Sequence, residues 1–251
     1  MTQIDGFWWL LISAGLLLFL QYNLHKEIQG VFLLLTRRAD VSIVLFSILF
    51  FPGIFVHEAS HYLAARILRV PTGSFSLIPR QTVEGRLQLG YVETVHSDIV
   101  RDALIGAAPL LAGGLMVAYI GLKQFNLLTL WEGIQVGAIS SWREAITLVY
   151  HSVDFWFWLY LAFVVSSTMM PSKSDRRAWL PIALTLILIL ALSVLAGAGP
   201  WLMLNLAPML NSILKSVAFI FGISVVIHLI FWLPFLFSRV VLERITGLRV
   251  E

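Results

Sequence analysis

The chemistry in this chain starts from one short string, Phe55-Val56-His57-Glu58-Ala59-Ser60-His61-Tyr62. Two histidines four residues apart on a helix share a face about 6 Å apart, so both imidazoles can bind one metal ion. Glu58 follows the first histidine and can reach a water on that ion as general base. Zinc lowers the pKa of such a water from about 15.7 to about 7, which makes hydroxide available at neutral pH. On an amphipathic soluble helix the same string is more often a solvated face. Here it lies in or near the end of an apolar stretch, where an ionisable group costs about 2.5–3.5 kcal/mol on insertion scales and generally has a partner and a function.

The chain contains no cysteine, so a zinc site must use histidine and carboxylate ligands. A catalytic zinc takes three protein ligands and keeps one position open. Asp175 is the best third ligand: it follows Ser166-Ser167-Thr168-Met169-Met170-Pro171 at the end of a later apolar stretch. Pro171 cannot continue a regular helix, so the chain can unwind there and turn inward. The competing role for Asp175 is a solvated interfacial carboxylate beside Arg176 and Arg177. His151 and Asp154 precede that stretch and fall at its opposite end. His96 and Asp98 lie on the same side as the motif but have no metal-ligand spacing. His228, in the last apolar stretch, fits a satisfied packing residue, an outer-shell group or a ligand.

The elements that must position these residues follow from composition. The 251 residues are 59% hydrophobic and 12% charged, a membrane balance rather than a soluble one. The net charge of +3 comes without a basic block, so no nucleic-acid partner is expected. Six stretches read as transmembrane helices, at residues 7–22, 41–68, 102–122, 155–170, 179–198 and 212–237. Asp5 without any Lys or Arg before residue 25 makes the first a retained helix rather than a cleaved signal. Residues 71–98, with Pro71, Gly73, Pro79, Gly85 and Gly90, read as a small β-hairpin or sheet turning at Glu84-Gly85. Residues 129–147 mix Trp131, Ile134, Ile139 and Trp142 with polar residues and read as an interfacial amphipathic segment. The fold class is therefore an all-α polytopic membrane protein with a small β region after the motif helix, in one domain over residues 1–251. Alternating six-fold crossing with a cytoplasmic N-terminus puts most basic residues inside, among them Arg66, Arg69, Arg101, Arg176, Arg177, Arg239 and Arg244. That places the N-terminus and the 71–98 region in the cytoplasm, with Asp175 on the same side as His57 and His61.

These residues and their order resemble the site-2 protease family of intramembrane zinc metalloproteases. His57-Glu58-Ala59-Ser60-His61 matches its motif outright, residues 71–95 match its β region in texture, and Gly106-Ala107-Ala108-Pro109-Leu110 loosely resembles its Gly-Pro turn. Asp175 after Pro171 matches its C-terminal ligand segment in order and place. The resemblance covers about residues 41–180 and implies a metalloprotease core, with residues 1–40 and 181–251 as additional helices. It implies a zinc cofactor on His57, His61 and Asp175, Glu58 as catalytic base, and a membrane protein as substrate. The family Asn that positions substrate falls near Ser167 or Thr168, and the Gly after the ligand Asp is Arg176. Those departures support an alternative: a protease-like membrane subunit of weak or no activity in a larger assembly. A transporter would show inverted repeats with paired broken helices, and only one such break is present.

Overall fold

A computed structural model describes residues 5–77, 80–81, 87–88, 90–136 and 139–249. Helix α1 spans Asp5–Thr36 and α2 Ala39–Ile67. Four short strands follow: β1 Thr72–Ser76, β2 Arg80–Gln81, β3 Leu87–Gln88 and β4 Tyr91–Thr94. Then come α3 Ile99–Tyr119, continued by a π-turn over Ile120–Gln124, α4 Leu127–Val136, α5 Ile139–Tyr150 and α6 Phe155–Thr168. The chain ends with α7 Trp179–Ser193, a three-residue α8 Gly199–Trp201 and the long α9 Ala207–Thr246.

Contacts between named residues fix the helix directions. Tyr160 donates to the carbonyl of Leu49 (2.7 Å), close to Pro52 in α2, and Nδ1 of His57 meets the carbonyl of Thr168 further down, so α2 and α6 run the same way. Gly53 lies between these contacts, where a Cβ would overlap the Val164 carbonyl; only glycine lets the two backbones come so close. Helix α3 runs against both: Gly113 sits on Met169, and the Tyr119 ring meets Trp158. Helix α1 runs against α2, with His25 in edge contact with Phe46 and Phe50 and Ser42 donating to the Gln29 carbonyl. The core joins Leu17, Leu24 and Ile28 of α1 to Phe50 of α2, Val117 of α3 and Phe163 of α6.

Helix α1 extends well beyond the stretch expected to end at Tyr22, through Gln21, Asn23, His25, Lys26 and Glu27. Tertiary partners satisfy part of this polar run. Gln21 donates to the Ser167 carbonyl (2.5 Å), and Arg239 of α9 pairs with Glu27 (2.7 Å).

The six-fold alternating topology needs correction. Among the described residues, four helical runs are long and apolar enough to cross a membrane, or five if the pair α5 and α6, bent by 86°, counts as one broken span. The expected fifth and sixth spans form one helical run from Trp179 to Thr246, turned at Gly197, whose φ of 88° suits glycine. Six alternating spans would set the first and last antiparallel. Instead Asp5 pairs with Lys215 (2.9 Å) and Glu27 with Arg239, so α1 and α9 are parallel. Parallel first and last helices, if both cross, require an odd number of crossings. With five, the upper count, Arg239, Arg244 and Arg249 would lie on the side opposite Arg176 and Arg177. Most of the charge asymmetry that favoured a cytoplasmic N-terminus would then disappear.

The β region is present. β1 pairs antiparallel with β4 (Thr72↔Thr94, Phe75↔Val92, Ser76↔Tyr91), and β2 pairs antiparallel with β3 (Arg80↔Gln88, Gln81↔Leu87). The expected Glu84-Gly85 turn lies outside the described residues. The segment expected at the interface forms α4 and α5, and α5 stands nearly perpendicular to α6.

Candidate metal centre

On α2, His57 and His61 lie one turn apart with ring centroids 4.9 Å from each other. Each ring is oriented by a backbone carbonyl of a neighbouring helix: Nδ1 of His57 by Thr168 at 2.6 Å, Nδ1 of His61 by Ile105 at 2.9 Å. A carbonyl only accepts, so both Nδ1 atoms carry the proton and both Nε2 lone pairs are available to a metal.

The Nε2 atoms point toward Asp175. His61 Nε2 is 3.4 Å from its Oδ1 and His57 Nε2 3.9 Å from its Oδ2. Donor atoms of all three residues lie within 4.8 Å of one another. Tetrahedral zinc with bonds of about 2.0–2.2 Å sets its ligands roughly 3.3–3.6 Å apart, so the His61–Asp175 separation already matches and His57 would have to move inward. The donor set, two imidazoles and a carboxylate, suits zinc and leaves a fourth position open.

Asp175 is delivered by the loop between α6 and α7. Helix α6 stops at Thr168, ahead of Pro171, and the chain then turns inward. The Ser172 backbone N–H donates to Asp175 Oδ2 (2.7 Å), and the Asp175 N–H donates to Ser172 Oγ (3.3 Å). Burial alone would raise the Asp175 pKa, but in the metal-free site a doubly protonated His61, whose Nε2 proton a metal would displace, and the Ser172 hydrogen bonds outweigh it and hold the carboxyl down at about 2. It is therefore ionised and ready for a cation at neutral pH. Gly106 of α3 lies against the Asp175 backbone, and a Cβ there would collide with the Asp175 carbonyl.

These three residues line a cavity of about 420 Å³ together with Glu58, Gly90, Tyr91, Val92 and Thr94. Glu58 is buried, and its carboxylate lies against Gly90 at the head of β4. At the cavity mouth the Arg177 guanidinium lies on the His96 ring and 3.6 Å from Asp102. Asp98 has a different job: its carboxylate accepts from the Val100 and Arg101 N–H groups and caps α3.

Ser167 and Thr168 reach the cavity, but their hydroxyls are already bonded within the protein. Ser167 Oγ is 3.0 Å from His228 Nε2, and Thr168 Oγ1 donates to the Val164 carbonyl at 3.0 Å. His228 is fully buried, with Nδ1 donating to the Ser224 carbonyl (2.7 Å), and stands outside the metal group. His151 and Asp154 sit before α6, at the end away from the site. Sequence reasoning missed His25, which lines the cavity from α1. Its one visible signal was an ionisable residue inside a long apolar helix.

No family model matches the chain, and no curated protein or solved structure does.

Proposed function

We propose that the chain is a multi-pass membrane zinc metalloprotease of the site-2 protease type, cutting a peptide bond in or near a membrane segment of a substrate protein. The observation that carries this reading is the convergence of His57, His61 and Asp175 beside a buried Glu58 in one cavity between apolar helices. Zinc, held by those three residues, would supply a Lewis acid and an activated water at the open position. Glu58 takes the proton from the attacking water and passes it to the leaving amine. Strand β4 walls the cavity beside Glu58, and an extended substrate laid along it brings a carbonyl to the site. A membrane helix shields its own carbonyls, so it must unwind before it can be cut, and backbone bonding along a strand replaces the bonds it loses. The testing experiment compares wild type with Glu58→Gln on a membrane-segment substrate in liposomes. Loss of cleavage with full zinc retention is expected; equal cleavage by both would remove Glu58 from the chemistry.

A second reading is a protease-like membrane subunit without turnover. The observation favouring it is the engagement of Ser167 and Thr168 with His228 and the helix backbone, which leaves neither hydroxyl for a substrate carbonyl. Zinc-loaded protein that cuts no member of a broad substrate panel would make it the better account.

A further inference from the structure

The cavity does not stop at the metal group. It continues between α1, α2 and α6 to His25. His25 stands against Phe46 and Phe50, with ring centroids 5.3 and 4.9 Å away. Phe50 is two turns before His57 on α2, so this inner end is about 10 Å from the metal group along the helix.

The inner end is polar where apolar packing would be expected. Nε2 of His25 is buried and has no hydrogen-bond partner among the described residues. One turn away on the same face of α1, Oε1 of Gln21 is also buried and unpartnered, while its Nε2 donates to Ser167. Leaving a buried donor or acceptor unsatisfied costs about 1–3 kcal/mol, so such atoms mark a place something polar occupies. Among the described residues His25 is in no ion pair. A neutral group that both donates and accepts suits it in either tautomer.

We propose that this inner end is a side-chain subsite for a substrate residue close to the cut bond, and that His25 selects a long side chain ending in an amide or hydroxyl, such as Gln or Tyr. This rests on the proteolytic function proposed above. The substrate backbone lies between β4 and the metal ligands. A side chain entering the subsite passes Ile54 and Thr168 and places its polar end at the His25 ring, which must turn to bring the closed-off Nε2 to it as a partner. A short apolar side chain leaves that atom unpaired.

The experiment uses the full chain in liposomes with a panel of synthetic apolar membrane segments. Each of the three residues on either side of the cut is set in turn to Leu, Gln or Tyr, and cut sites are mapped by mass spectrometry. At one position wild type should favour Gln or Tyr over Leu by on the order of ten-fold in kcat/KM, the value of one recovered hydrogen bond. His25→Phe, which keeps the aromatic bulk, should bring that ratio close to one, and His25→Gln should restore part of it. Zinc content of each variant reports that the site has assembled. Cleavage with no such preference, or with a preference that His25→Phe leaves intact, overturns the subsite and leaves the protease standing; it is also the result expected if only water fills the inner end. Zinc-loaded wild type that cuts no panel member overturns both.

Discussion

His57 donates through Nδ1 to the backbone carbonyl of Thr168, the last residue of α6, at 2.6 Å. One hydrogen bond thus orients a metal-facing ring and joins the motif helix to the helix whose following loop carries Asp175. The contact does not depend on the side chain at position 168, since Thr168 contributes only backbone.

Metal content should follow this geometry. Purified protein is expected to hold about one zinc, with nitrogen–zinc distances of about 2.0–2.1 Å by X-ray absorption. His57→Ala combined with His61→Ala should abolish retention, and Asp175→Ala should weaken it. Unchanged zinc stoichiometry in the double variant would remove the site.

Glu58→Gln is nearly isosteric and removes the basic carboxylate. Zinc should stay bound while turnover falls about 10²–10⁴-fold, the usual contribution of a positioned general base. Single-turnover cleavage of a liposome-embedded substrate measures the loss.

Gly106→Val probes the contact between α3 and the Asp175 loop. A Cβ there overlaps the Asp175 carbonyl, so the ligand loop must move. Zinc affinity, read by competition with a chromophoric chelator, should drop by at least about ten-fold, in the range seen when a ligand's supporting contact is lost. Helix content by circular dichroism should barely change.

The parallel pairing of α1 and α9 is open to two measurements. Arg239→Met leaves Glu27 buried without its cation and should cost about 3–5 kcal/mol in detergent unfolding. Adding Glu27→Gln should recover a good part of that. Because the chain has no cysteine, single introduced cysteines map its sides without background. Lys173→Cys and Gly247→Cys should react from opposite faces of a vesicle. Labelling from the same face would restore an even number of crossings.

The sequence made the candidate site residues plain and their supports invisible. His57, Glu58 and His61 announce themselves by spacing on one helix, and Asp175 by following a proline at the end of a span. The carbonyls of Thr168 and Ile105 that orient the two rings are main-chain atoms, and no residue identity encodes them. Gly106 stood out only as part of a loose family likeness, whereas its function is to carry no side chain where a backbone passes. The polar run from Gln21 to Glu27 argued for ending α1 early, because hydropathy counts a residue's polarity without seeing the α6 and α9 partners that satisfy it. Topology failed for a related reason. Two apolar stretches of the right length look like two crossings, and it takes the pairings of Asp5 with Lys215 and of Glu27 with Arg239 to reveal that α9 runs alongside α1 rather than against it.

That pairing also dictates an order of events while the chain is being made. Asp5 and its partner Asn211 are 206 residues apart, and Glu27 waits for Arg239 over a similar distance. At about 5–20 residues per second, roughly 10–40 s pass between synthesis of the first helix and arrival of the last. Through that interval α1 carries the carboxylates of Asp5 and Glu27 without their α9 partners, in a setting that penalises a buried charge. The nascent chain must either hold α1 at the bilayer surface or shelter it in the insertion machinery until α9 emerges. A ribosome stalled before Arg239 would therefore leave an intermediate that is far easier to extract from the membrane than the finished protein.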